Sequence, residues 1–371
     1  MGFSKLSFFD ARLVGAIAVA LIAVTKLLSP EPVHVCARPR IARGEPGTQI
    51  MSCALSPASA RIATTNAAGR VSLRSPESGW QIERFLDFPG YARAVTFSPD
   101  GQWLAAAGLA PGICLWDLRS PGREPTQAIV LPIKRAKSIL FSPAGPYLAV
   151  TTDFDGTILL WDLSTRRDRM ILHQPSPAAS IAFSPDGRWL ATGGKHDWSI
   201  LLWDLQTGAC RILLEHGPGP AMALAFSPDG ALLATASFPE HHARLWELTT
   251  GQVCRIFEGH SRSLNSIAFS PDGSLLATAG NDGMLGLWTV ATGQRRVSLD
   301  SQATWLRTVD FSPDGQTLVL ATGDDDDVRL WDLGFRHQAE RAGIATFLSV
   351  VPSSPRPSGP QFGERRNKVM K

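Results

Sequence analysis

The sequence predicts an all-β fold, a seven-bladed β-propeller, on three observations. A string reading Phe-Ser-Pro-Asp-Gly, or a near copy, recurs with its phenylalanine at Phe97, Phe141, Phe183, Phe226, Phe269 and Phe311, at steps of 42 to 44 residues. A degenerate Leu-Ser-Pro puts Leu55 one step earlier. A second string, Leu-Trp-Asp or close to it, begins at Leu115, Leu160, Leu202, Leu245, Leu287 and Leu330, with Leu73 as a weak first copy, and keeps the same period across residues 48–333. Glycine (33) and proline (27) punctuate the chain at regular intervals, as turns between many short strands do. Two independent markers on one period mean repeats, and a period of this length made of short strands means blades stacked around an axis.

Ahead of the repeats, residues 13–25 (LVGAIAVALIAVT) are apolar without a break; Lys26 interrupts and Leu27 and Leu28 follow. That length suits a signal-peptide core or a short membrane anchor. No small-residue cleavage site follows cleanly. Residues 1–32 are therefore expected to hold a short hydrophobic helix that stays as a single-pass N-terminal anchor, contacting the membrane through residues 13–28. A cleaved signal that releases a soluble exported propeller is one alternative, and a soluble helix capping the propeller is the other. Cations stand on both sides of the segment, so the side of the membrane is undecided.

Each repeat reads as four strands, a to d. SIAFS (266–270) alternates before a Pro-Asp-Gly turn, SLLATAG (274–280) is a buried run, and MLGLWTV (284–290) alternates again. TGQVCRIF (250–257) closes the preceding unit as its outer strand. Such strands cannot cover both faces of a sheet alone; stacked neighbours do so, and closing the ring removes exposed edges. The seventh unit has strands a to c in 307–333 and no obvious fourth directly after Leu333. Either 33–41 (VHVCARPRI) or 345–351 (ATFLSVV) can supply it. The propeller is assigned to residues 33–351. Residues 352–371, rich in Pro and Ser, carry Arg356, Arg365, Arg366, Lys368 and Lys371 against Glu364, the composition of a disordered basic tail.

The units resemble WD repeats. The best copy is 259–289, GHSRSLNSIAFSPDGSLLATAGNDGMLGLWT, with its Gly-His opening, turn aspartate and third-strand tryptophan. The resemblance implies a hydrogen-bonded set in which the turn Asp holds the His, and the His reaches a strand-b Ser or Thr near the Trp. Unit six matches fully, with His260, Thr278, Asp282 and Trp288. Unit four offers Asp197, Thr192 and Trp203, with His173 one residue out of register. Unit three keeps Asp155 and Trp161, unit five has Glu240 at the turn, and unit seven keeps Asp325 and Trp331. Units one and two have Ala68 and Ala110 where Asp is expected, and unit one has Arg74 in place of the Trp. Trp288→Ala is accordingly expected to cost ~3–5 kcal/mol, and Arg74→Ala much less. The resemblance further implies closure by a strand from the opposite terminus, which favours 33–41, and docking of partners on the top face formed by the d–a and b–c loops.

Asp, His and Thr together invite a catalytic reading, but a set that recurs with the repeat is a stability device, since a single active site would not recur. The sequence has no dinucleotide fingerprint, P-loop, HExxH or GxSxG. The run Asp324–Asp327 and the cluster Glu240, His241 and His242 read as solvated turns. The five cysteines (Cys36, Cys53, Cys114, Cys210, Cys254) lack CxxC pairing and read as small buried hydrophobes. A net charge of +3 is too mild for a nucleic-acid footprint. No catalytic residue, cofactor or metal is expected, and no nucleic-acid partner.

Two positions per unit, four and six residues before the repeat Phe, point to the top face. Units seven, two and three hold Trp305 and Arg307, Tyr91 and Arg93, and Arg135 and Lys137, whereas units four to six hold small or neutral residues such as Pro177, Ala179, Pro220 and Ser263. Trp, Tyr and Arg are the types enriched at interface hot spots. The expected function is a non-catalytic, membrane-tethered scaffold that binds a protein partner, an acidic or phosphorylated segment, through these six residues. The alternative is a propeller enzyme or ligand-binding propeller with its site in the central channel.

Overall fold

The computed structural model describes residues 39–43, 49–110, 112–119, 127–131, 133, 135–215, 219–323 and 327–334. These form seven four-stranded antiparallel sheets. In blade six the strands are a (Leu264–Phe269), b (Leu275–Gly280), c (Met284–Thr289) and d (Arg295–Asp300), and blades one to five repeat this order. The seven a strands touch one another in a closed ring, so they are innermost and line the axis. The hydrophobic segment 1–32, the segment 345–351 and the tail 352–371 lie outside the described residues. No helix among the described residues is long and apolar enough to cross a membrane.

Strand b is covered on both faces by neighbouring blades, which is why it reads as an unbroken run and not as an alternation. Ala63, Ala105, Ala149, Ala191, Ala234 and Ala277 occupy one equivalent position in strand b of blades one to six and have no exposed surface. Strand d has an open outer face, as in Gln252–Glu258, where Phe257 alone is buried.

The repeated turn has a local cause. In blades two, four, five, six and seven the Ser hydroxyl bonds the Asp two residues on (Ser98–Asp100, Ser184–Asp186, Ser227–Asp229, Ser270–Asp272, Ser312–Asp314). The same Asp accepts a backbone N–H two residues further along. The following glycine then takes a left-handed φ, +67° at Gly187, which side chains resist. It also seats on the previous blade's turn: a Cβ on Gly187 would lie 3.0 Å from the Ala144 Cβ.

Ring closure comes from the N-terminal side. Strand Arg40–Ala42 pairs antiparallel with strand c of blade seven (Val328–Asp332), with Ile41 opposite Arg329. The pairing falls at the end of the expected segment 33–41 and runs one residue past it. The setting of Arg74 argues against the expectation that Arg74→Ala costs much less than Trp288→Ala. Arg74 is the largest fully buried side chain and donates through Nη1 to the carbonyl of Arg43, 2.7 Å away, immediately after the closing strand. Where an indole has one donor, a guanidinium has five and an apolar stem, so it can fill the site and bond backbone from the joining segment. The cysteines also depart from expectation. Cys114 is buried and Cys53 half-buried, but Cys210 and Cys254 are exposed, and all four are free.

Candidate partner-binding face

Every a strand carries a β-bulge at one equivalent place. The register shifts across Met51, Arg93, Lys137, Ala179, Met222, Asn265 and Arg307. These are the residues four before the repeat Phe. A bulged residue is released from the ladder and its side chain is re-aimed. The carbonyl two residues earlier accepts the first N–H of the b–c turn: Leu109 N to Tyr91 O (3.0 Å), Asp153 N to Arg135 O (3.2 Å), Gly323 N to Trp305 O (3.1 Å). The d–a and b–c loops are thereby tied together on one face, which holds all six expected partner residues.

The charge on this face is uneven. Arg93 donates to Asp153 Oδ2 (2.5 Å), and Arg135 Nε donates to Asp153 Oδ1 (3.0 Å). Burial works to raise the Asp153 carboxyl, but the hydrogen bonds from Arg135 and Arg93 outweigh it and hold the group below the usual carboxylate range. Lys137 has no acid bonded to it among the described residues. Burial, then the charges of Arg93, Lys195 and Arg307, push its ammonium down, and Asp153 opposes them. The Arg307 guanidinium lies over the Trp305 ring, 4.4 Å from its centroid, and its buried Nε has no partner among the described residues. Trp305 in turn rests on Gly323, where a Cβ would come within 2.2 Å of the indole. The Tyr91 hydroxyl sits 2.9 Å from the Met51 sulfur. Asp153, which position counting did not find, is the acid that clasps two of these cations; its sequence signal is the Asp that opens the blade-three b–c turn.

Counting d–a positions alone also missed the b–c turns. Leu109, Phe154, Trp198 and Phe238 stand exposed on the turns of blades two to five. Blades four and five are therefore not neutral at this face. Above blade six an open cleft of about 450 Å³ is lined by Phe238, Pro239, His241, Arg262, Ser263, Asn281, Thr304 and Trp305.

The residues of the blade-six set form one chain of hydrogen bonds. His260 Nδ1 lies 3.0 Å from Asp282 Oδ2, His260 Nε2 lies 2.8 Å from Thr278 Oγ1, and Trp288 Nε1 donates to Thr278 Oγ1 (2.8 Å). All partners are satisfied if Nδ1 carries the proton and the Thr278 hydroxyl donates to Nε2. Burial works to raise the Asp282 carboxyl; His260 and the N–H groups of Ser261 and Met284 more than offset it. Gly286 makes room, since a Cβ there would lie 2.6 Å from Thr278 Oγ1 and 2.7 Å from Trp288 Nε1.

The other blades keep parts of this chain. Trp203 bonds Thr192 and Trp246 bonds Thr235, both at 3.0 Å. Val150 and Leu320 stand where those threonines would be in blades three and seven, and Trp161 Nε1 and Trp331 Nε1 are buried without partners among the described residues. In blade four His173 does not join. It is exposed at the end of strand d, while buried Gln174 takes the position and donates to Ser176 O (2.6 Å), and the Ser176 hydroxyl reaches Asp197 (2.7 Å). Glu240 is occupied by Arg244 and Ser237. Three residues of the run Asp324–Asp327 lie outside the described residues.

In the channel, Asp310 is on an innermost strand yet open to solvent. Surrounding protein raises its carboxyl to about 6, against a backbone bond from Phe311 N. Burial, then the charge of Asp310, pushes the Cys53 thiol up to about 12, with Arg74 opposing. A thiol held protonated is a poor nucleophile.

Comparison with protein families matches the WD domain, G-beta repeat family over residues 84–117, 134–162, 169–204, 209–247, 251–289 and 293–332, together more than half of the chain. Strands a to c of blade one fall outside the matched segments, in keeping with its degenerate motifs. No curated protein matches the chain.

Proposed function

The chain belongs to the WD domain, G-beta repeat family, and from that premise we propose that it is a non-catalytic scaffold holding a protein partner on the top face of its propeller. Propellers of this family generally serve as protein-interaction scaffolds. The observation that carries the reading here is the crowding of the bulged cations Arg93, Lys137 and Arg307, of which Asp153 bonds Arg93, while no acid is bonded to Lys137 or Arg307 among the described residues. Cationic charge to which no described acid is bonded favours a partner that brings its own acids, carboxylate or phosphate, steered from solution and released by salt. Reversing Arg135 and Lys137 to Glu should abolish capture of the partner isolated with the full-length chain, at an unchanged melting temperature. Undiminished capture would exclude this face.

The scaffold is tethered to a membrane through residues 13–28. Support for the tether is the unbroken apolar run at 13–25. The full chain should stay in the membrane pellet through an alkaline wash, and a chain lacking residues 1–32 should not. Equal partitioning of the two would sink the tether.

A further inference from the structure

Above blade six the top face sinks because its residues there are small: Ser263 in the d–a loop and Asn281 at the b–c turn. The flanks are large. Phe238 and Pro239 rise from the blade-five turn, and Trp305 rises from the d–a loop of blade seven. Phe238 is 52% exposed, apolar area that water does not favour and a partner would cover. Trp305 is already fixed between Gly323 and the Arg307 guanidinium, so a ligand that packs on it need not immobilise it. Exposed Arg262 and His241 line the cleft, Arg307 stands on its Trp305 wall, and no acid lines it among the described residues.

We propose that this cleft seats a bulky apolar side chain (Phe, Trp or Leu) of an acidic segment of the partner protein, and that the carboxylates beside it run over Arg307 to Lys137 and Arg93. The inference rests on the top-face reading and adds an anchor to it. The occupant is a peptide segment because the cleft is open and its Trp305 wall carries Arg307, the first of the bulged cations. Arg307 is the link: it stacks on the Trp305 wall on one side, and its charge bears on Lys137 on the other. Aromatic walls suit an apolar group, and a rim whose described charged residues are cationic suits anionic neighbours.

The test is a random 12-residue peptide library displayed on phage and selected on the full-length chain, with the leading peptide synthesised and its affinity measured by fluorescence anisotropy. The selected pool should show acids flanking one large apolar position. Phe238→Ser, an exposed change, should weaken the leading peptide about tenfold or more, the order expected for uncovering an aromatic face. Changing the peptide's own apolar residue to Ser should do the same, and Arg262→Glu at the rim should weaken it as well. Reversing Arg135 and Lys137 to Glu should weaken every acidic peptide, with or without the apolar residue. An acidic pool with no apolar position, indifferent to Phe238→Ser, would overturn the cleft while leaving the basic face standing. A pool without acids, indifferent to the charge reversal, would overturn both. No enrichment over bare support would overturn the cleft as a peptide site.

Discussion

Blade three contains a defect that a single substitution should mend. Its Trp161 indole N–H is buried without a partner, because Val150 stands where blades four and five have Thr192 and Thr235. The spacing of eleven residues from Thr to Trp in those blades is also the spacing from Val150 to Trp161. Val150→Thr is nearly isosteric at a fully buried position, so no cavity opens. Trading a buried methyl for a hydroxyl loses ~1 kcal/mol of apolar transfer, and giving an orphaned donor its acceptor returns ~1–3 kcal/mol. The net expectation is a gain of ~1 kcal/mol, a rise of roughly 2 °C in melting temperature for a domain of this size. The reciprocal change, Thr192→Val, keeps the shape but orphans Trp203 Nε1, and should cost ~1–2 kcal/mol. Urea denaturation followed by circular dichroism gives both midpoints against the parent chain. If Val150→Thr destabilises by a kilocalorie per mole or more while Thr192→Val is silent, the Thr–Trp bond is not what holds strands b and c of these blades together.

Three further outcomes are expected. Trp288→Ala should cost ~3–5 kcal/mol in chemical denaturation, and Arg74→Ala a loss of the same order, because its buried guanidinium bonds the segment that closes the ring; a cost near zero for Arg74→Ala would show that the closure does not depend on it. The folded-state carboxyl of Asp310 is raised to about 6, so its favourable contribution is complete below about pH 4 and is lost as pH rises through 6; Asp310→Asn should therefore stabilise the protein at neutral pH, by ~1 kcal/mol after discounting for channel water, and leave it unchanged near pH 4, whereas a difference independent of pH would contradict the channel placement. Arg307→Ala should weaken capture of an acidic peptide more than Arg93→Ala does, since Arg93 is already paired with Asp153 through Nη1; equal losses by titration would mean that Asp153 releases Arg93 on binding.

The sequence made legible whatever depends on one repeat alone. The Ser-Pro-Asp-Gly turn carries its own hydrogen bonds and its own left-handed glycine, so its recurrence located five a–b corners, and the near copy Ser-Pro-Ala-Gly a sixth. The bulged residues were legible for the same reason, since they sit at a fixed distance from the repeat Phe. What escaped was set between repeats. Asp153 clasps Arg93 from 60 residues away, and Arg74 bonds the carbonyl of Arg43 in a segment with no periodic signal. Gln174 holds the place assigned to His173 because position in the blade, not residue type, decides which side chain turns inward.

The cleft above blade six is the clearest case of a site that position counting overlooks. Ser263 and Asn281 read as featureless one position at a time, and only their place between Phe238 and Trp305 makes a hollow of them. The same comparison across blades gives the face a direction. Asp153 balances the cations of blades two and three, while Arg307 of blade seven and Arg262 beside the cleft have no acid bonded to them among the described residues. Among the described residues, the cations without a bonded acid therefore lie on the side of the apolar hollow, which is the side the proposed acidic segment would favour. The proposed segment would meet both features at once, because Arg307 rests on the Trp305 wall of the hollow and its charge bears on Lys137.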